Sequence, residues 1–427
     1  MEAVPERYEW YYLSASKKCD ERAKFKTAIR KHHCPPIIYT YRPGAIKLAV
    51  DHKAKSRMNI TFAFPVPSLS GGCRVVAIYA QALSDAGHKV TIVCPKYKYG
   101  GFSNGLKRLI KRRFFKNRPI EHSHFSRLRG VNIITLSPDQ MSNSDRYPSA
   151  DVLIATWWKT VEWTQHFPVE KGAKCYFVQH YEVHDEMPVA RVKKTYETNF
   201  PKIVIAEWLA HVMATQYGDN DTFLVPNAVD HEEFYRPENI TMSPFTVCGM
   251  YSESKFKGID VTLAAFSRAR QIVPQARLVL FGASAPSPSI EFPDGVEFVL
   301  SPDRGELRAI YSRSRGYVFS SRSEGFGLPI LEALACGCPV IATRSGCAPD
   351  YIRDGINGYL NGIDDISAQA ESIVQALTLD DSEWNLMSDA ASHSVKESSW
   401  MTSATLFERT LVRISECKAQ EITAVYV

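Results

Sequence analysis

The sequence predicts an α/β protein built from two doubly wound, Rossmann-like domains with a cleft between them. Three observations lead there. A length of 427 residues suits two domains, each large enough to bury its own core. Short apolar runs alternate with stretches of helical period from Asn59 to Val225, and a second alternating series follows Pro226-Asn227. Hydrophobic residues at 45% and charged residues at 23% exclude a disordered or low-complexity chain. Sheets of this class take ligands beyond the carboxyl ends of their strands, so the cleft is the place to look for function.

In chain order, residues 1–56 form a polar, basic extension whose one apolar stretch, 37–41, has no assigned element. The apolar run 60–65, a Gly-Gly turn at Gly71-Gly72, a helical period through Val75, Val76, Tyr79, Ala80 and Leu83, and the run 90–93 make a strand-helix-strand unit. Buried strands are expected at 131–136, 152–155, 175–178, 203–205 and 222–225, which completes a first domain over 57–228. A second domain over 229–398 has strands at 245–248, 277–281, 296–300, 316–319 and 340–342, with helices at 259–273, 306–312 and 328–335. The remaining residues, 399–427, start at a Ser-Trp pair and carry Leu406, Phe407, Leu411 and Ile414 at helical spacing.

The net charge of +5 hides an asymmetry. Residues 1–150 hold 27 Lys and Arg against 10 Asp and Glu, a net of +17, and the rest of the chain carries −12. Such a bias points to an anionic partner for the N-terminal part. The ten cysteines show no CxxC pair and no zinc-type spacing, so they read as small buried hydrophobes of a reducing compartment. No secretory pattern in the first thirty residues and no 18-residue apolar run is found, and the expectation is a cytoplasmic protein.

The most specific chemistry is written in residues 320–342, SSRSEGFGLPILEALACGCPVIA. A strand runs into a glycine-containing loop and a helix begins near Leu328, with Pro329 where a missing N–H costs nothing. A helix N-terminus offers free amides and positive potential to an anion. Glu324 on the loop and Glu332 on the helix can face one ligand, and carboxylates accept hydrogen bonds from sugar hydroxyls, which suits a nucleotide sugar with its phosphates over the helix end.

This string resembles the signature of the family-4 retaining glycosyltransferases, also called glycosyl transferases group 1, of GT-B fold. Supporting matches run over about residues 59–415. The resemblance implies a first domain for the acceptor, a second for the nucleotide-sugar donor, and a final helix that returns to the first domain. It implies that Glu324 contacts the transferred sugar and Glu332 the ribose, and that Lys257, in Lys257-Gly258-Ile259-Asp260, grips the diphosphate with the amides around Phe326, Gly327 and Leu328. His180, in the run from Tyr176 to Glu182, is the candidate histidine beside the reacting carbon. Gly71 and Gly72 correspond to a glycine loop that approaches donor phosphate or acceptor, with an ordinary turn as the alternative. The pattern departs at Met250, where the family has arginine, and Lys255 or Arg322 is the cation expected to compensate. No metal and no cofactor are implied beyond the nucleoside diphosphate sugar, which is a substrate.

The expected activity is transfer of a sugar to a saccharide or lipid-linked acceptor in cell-surface polysaccharide or glycolipid synthesis, near the rhamnosyl and polysaccharide-building members. Met250 motivates a second reading, a degenerate transferase that binds without turnover. A nicotinamide-dependent oxidoreductase would need G-x-G-x-x-G after a strand, which Gly325-x-Gly327 does not complete. His180, Glu182 and His184 lack metalloprotease spacing. The segment from Lys107 to Arg118 has seven cations with Leu106, Leu109, Ile110 and Phe114 at helical spacing. It fits an interfacial helix on the anionic inner face of a membrane, a solvated loop or an acceptor lid, and nothing around it resembles a nucleic-acid module.

Overall fold

The computed structural model describes residues 57–96, 120–184, 186–238 and 240–425. The extension 1–56 and the basic segment 107–118 lie outside them. The first sheet contains β1 (Asn59–Ala63), β2 (Lys89–Pro95), β3 (Asn132–Leu136), β4 (Val152–Ala155), β5 (Ala173–Val178), β6 (Lys202–Val204) and β7 (Phe223–Leu224), in the order β3-β2-β1-β4-β5-β6-β7. The second contains β8 (Thr246–Met250), β9 (Arg277–Gly282), β10 (Val296–Leu300), β11 (Gly316–Phe319), β12 (Val340–Thr343) and β13 (Gly358–Asn361), in the order β10-β9-β8-β11-β12-β13. Neighbouring strands run parallel throughout, as in Ile60 opposite both Val90 and Val152. The central strands β4, β11 and β12 are buried at every position, which explains why they are continuous apolar runs without alternation.

Each strand order reverses once, between β1 and β4 and between β8 and β11. These are the two switch points where a doubly wound sheet opens a crevice. Two local expectations need correction. Gly71-Gly72 is not a turn before a helix. Ser70 caps the helix Gly71–Asp85 by accepting from the Cys73 amide, so the two glycines are its first residues. A side chain at Gly72 would meet the Gln179 amide group at ordinary van der Waals distance, and one at Gly71 would stand in open space. The strand β13 was not expected, because Gly-Tyr-Leu-Asn has no apolar run. Pairing with β12 makes it a strand.

The chain crosses between the domains twice. After β7 it leaves the first domain through Pro226–Val229, and it comes back at Ser398-Ser399, where Val229 bridges to Ser399 and its amide donates to the Ser398 carbonyl at 3.3 Å. The helix Trp400–Val425 then packs on the helix Gly71–Asp85 and on β4 and β5. Phe407, fully buried, stacks on Tyr79 with ring centres 4.4 Å apart and meets Phe177 edge-on at 5.2 Å. Next to it the buried His88 and Glu408 pair at 2.9 Å. No helix among the described residues is long and apolar enough to cross a membrane.

Candidate active site

A cavity of about 750 Å³ lies between the carboxyl ends of the two sheets. Every sequence-predicted site residue except Arg322 lines it: Gly71, Gly72 and His180 on the first-domain wall, and Lys257, Glu324, Phe326, Gly327, Leu328 and Glu332 on the second.

The second-domain wall is built by the loop between β11 and the helix Leu328–Ala335. Buried hydroxyl contacts pin its start: Ser320 Oγ lies 2.6 Å from Thr262 Oγ1 and 2.8 Å from Gln369 Oε1, and Thr343 donates to the Ser321 carbonyl at 2.6 Å. Gly325 then passes so close to the first domain that a side chain on it would collide with the Gln179 carbonyl. Trp208 Nε1 donates to the Gly325 carbonyl at 3.0 Å from the same side. Gly327, at φ 97°, turns the chain into the helix from a conformation that glycine adopts without strain. The helix end presents the Gly327 and Leu328 amides. Pro329 has none, and the Ile330 amide is bonded back to the Gly327 carbonyl at 2.9 Å.

Glu324 is nearly buried, and its Oε1 accepts from Lys257 Nζ at 2.5 Å and from Ser321 Oγ at 2.8 Å. Across the cleft, His180 Nδ1 lies 2.9 Å from the Tyr181 carbonyl, which can only accept, so Nδ1 carries the proton and Nε2 accepts from Ser323 Oγ at 3.5 Å. Burial holds the His180 pKa below the ordinary histidine value, against an upward pull from Glu324, and the ring is neutral at pH 7. Beside it, burial pushes the Glu182 carboxyl up to about 8. Its Oε2 has no hydrogen-bond partner among the described residues, a state suited to a protonated acid.

Glu332, in the second turn of its helix, is only 7% exposed and is met by two guanidinium groups. Arg74 Nη1, from the first domain, reaches its Oε1 at 2.9 Å, and Arg304 Nη1 lies 3.6 Å from the same oxygen. Both arginines also approach Glu233 Oε2, at 3.4 and 3.5 Å. Arg322 faces elsewhere. Its fork is taken by Asp260 at 2.6 Å and Asp364 at 2.7 Å, and it donates to the Lys255 carbonyl, outside the cavity lining.

Residues 231–393 match the family described as glycosyl transferases group 1. The second domain is a glycosyl transferases group 1 domain. The chain is 32% identical over 184 residues to D-inositol 3-phosphate glycosyltransferase of Corynebacterium aurimucosum, covering 39% of this chain and 44% of that one. It spans less than half the length of the curated relatives it matches. In fold it is similar to sucrose-phosphate synthase from Thermosynechococcus elongatus, with a TM-score of 0.63, 19% identity, and coverage of 86% of this chain and 100% of that one. It is also similar to Anabaena HepE in complex with UDP-glucose, at TM-score 0.59, 15% identity and the same coverage. At these identities the likeness is one of fold, and the fold is GT-B.

The group 1 domain thus supplies one wall of the cavity, with its Glu324 and Glu332 flanking the helix end. Among the cavity residues that sequence reasoning missed are Arg74 and Arg304, the two guanidinium groups on Glu332. One signal was available for Arg74: a cation in the first turn of a helix opposes the dipole, and that turn has no acidic residue to offset it. Arg304 offered no comparable signal, because its partners are 71 and 28 residues away in the chain.

Proposed function

We propose that the chain is a retaining glycosyltransferase that moves a sugar from a nucleoside diphosphate sugar to a hydroxyl of a saccharide or lipid-linked acceptor, in the synthesis of a cell-surface polysaccharide or glycolipid. The observation that carries the reading is the arrangement on one cavity wall of two carboxylates, a lysine bonded to one of them, and the N-terminal end of the helix Leu328–Ala335. A retained UDP-glucose in HepE, which shares the fold, supports a nucleotide sugar as the ligand class.

In this reading the diphosphate lies over the Gly327 and Leu328 amides, where the helix dipole and Lys257 stabilise the charge that builds on it as the bond to the anomeric carbon breaks. Lys257 is held for that task by Glu324, whose carboxylate also faces the hydroxyls of the transferred sugar. Glu332 accepts from the ribose. His180, neutral and fixed in one tautomer, offers the reacting centre a polar group without a competing positive charge. The acceptor enters from the first domain, where Thr156, Trp157 and Glu182 line the cavity. The proposal takes the basic segment 107–118 as the contact with an anionic membrane surface that brings a lipid-linked acceptor within reach.

The test is to screen UDP-, GDP-, ADP- and dTDP-sugars by thermal shift, where a donor at 100 times its Kd adds about 2.7 kcal/mol of stability. The stabilising donor is then mixed with saccharide and lipid-linked acceptors. Release of free nucleoside diphosphate with formation of a glycoside is the expected result. Binding without release for every acceptor would favour the degenerate, binding-only reading motivated by Met250, and a screen with no stabilising donor would defeat both.

A further inference from the structure

We infer that Arg74, although it belongs to the first domain, is a positioning residue of the donor site: it holds one oxygen of Glu332 so that the carboxylate is aimed at the ribose, and it makes that hold depend on closure of the cleft. The inference rests on the role proposed for Glu332.

The geometry is specific. Arg74 lies 258 residues from Glu332 in the chain and on the opposite cavity wall, yet its Nη1 is 2.9 Å from Glu332 Oε1. Both guanidinium contacts to Glu332 fall on that one oxygen. The second nitrogen of Arg74 reaches Glu233, so its planar fork spans two carboxylates, which an ammonium group cannot do. Both partners are largely removed from water, at 16% exposure for Arg74 and 7% for Glu332.

Two consequences follow. A carboxylate this deep costs free energy unless a cation faces it, and a ribose hydroxyl is neutral. A ribose that displaced Arg74 would leave Glu332 with Arg304 alone, at the longer distance of 3.6 Å, so binding beside Arg74, on a carboxylate that the arginine has already oriented, is the favoured arrangement. Further, the two groups are carried by different domains, so a cleft opened by a few ångström separates them. Donor binding and closure then favour each other, as linkage requires of two events that share one contact.

The alternative is a latch, in which Arg74 blocks the ribose until it is displaced. Calorimetric titration of the full chain with UDP, GDP, ADP and dTDP separates the two. For the best-binding nucleotide, Arg74→Gln is expected to weaken affinity by about tenfold or more. Arg74→Lys should recover only part of the loss, and it carries the test if the glutamine variant does not fold. Combining Arg74→Gln with Glu332→Gln should cost no more than Glu332→Gln alone. Unchanged or tighter binding by Arg74→Gln, or losses that simply add, would overturn the inference; a lowered melting temperature with unchanged affinity would overturn it too, as a purely structural role. If Glu332→Gln itself binds as the unaltered chain does, or no nucleotide binds the unaltered chain, the ribose assignment fails first and the inference falls with it.

Discussion

A lysine that serves the leaving group differs in one measurable way from a lysine that only helps the donor bind. Lys257 sits 2.5 Å from Glu324, which holds its ammonium group at the cavity wall. If its main partner is the charge that develops on the diphosphate, Lys257→Ala lowers kcat, by about 10- to 150-fold for a lost charged hydrogen bond. Steady-state kinetics at saturating donor would read this directly; a rise in KM with kcat unchanged would assign Lys257 to uniform binding. The residue scale is also where sequence reasoning was uneven. Glu324, Lys257, His180 and Glu332 were legible as residues of one cavity because each lies in a short string whose chemistry is local. The partners of Arg322 were not legible, since Asp260 and Asp364 lie 62 and 42 residues away and only the fold brings them to it.

Elements were easiest to read where burial is complete. The strands Val152–Ala155 and Gly316–Phe319, buried at every position, and the helix Leu328–Ala335, buried from Ile330 onward, begin and end where the apolar pattern put them. The strand Gly358–Asn361 was invisible because its identity comes from the neighbour it pairs with. The last helix illustrates what pattern cannot give: spacing predicts that it is amphipathic, but the surface that it covers lies some three hundred residues earlier. Its anchor is Phe407, enclosed by Tyr79, Phe177 and Phe62. Phe407→Ala should cost about 3 to 5 kcal/mol from the first domain's stability, read as a shift of its denaturant midpoint. A loss below about 1 kcal/mol would mean that the helix docks on the first domain without completing its core.

At the scale of the whole molecule, charge and chain path both matter. A net of +17 over residues 1–150 and seven cations between Lys107 and Arg118 predict attachment to anionic bilayers. Each cation near such a surface contributes about 1 kcal/mol, screened over about 8 Å at physiological salt. Sedimentation with anionic and with neutral vesicles checks this: the protein should pellet with the anionic ones alone and return to the supernatant at high salt. Equal recovery with both would leave the cations to a soluble acceptor. The double crossing between domains bears on how the molecule is made. The first sheet ends at Leu224, but the aromatic ring that fills the space between Phe62, Tyr79 and Phe177 belongs to a helix that starts at Trp400. A ribosome working at about 5 to 20 residues per second needs roughly 9 to 35 s to add those intervening residues, roughly 175 of them. For that interval the nascent first domain holds an aromatic-lined slot open to the cell, long enough for a chaperone to find it and for two neighbouring nascent chains on one message to exchange their final helices.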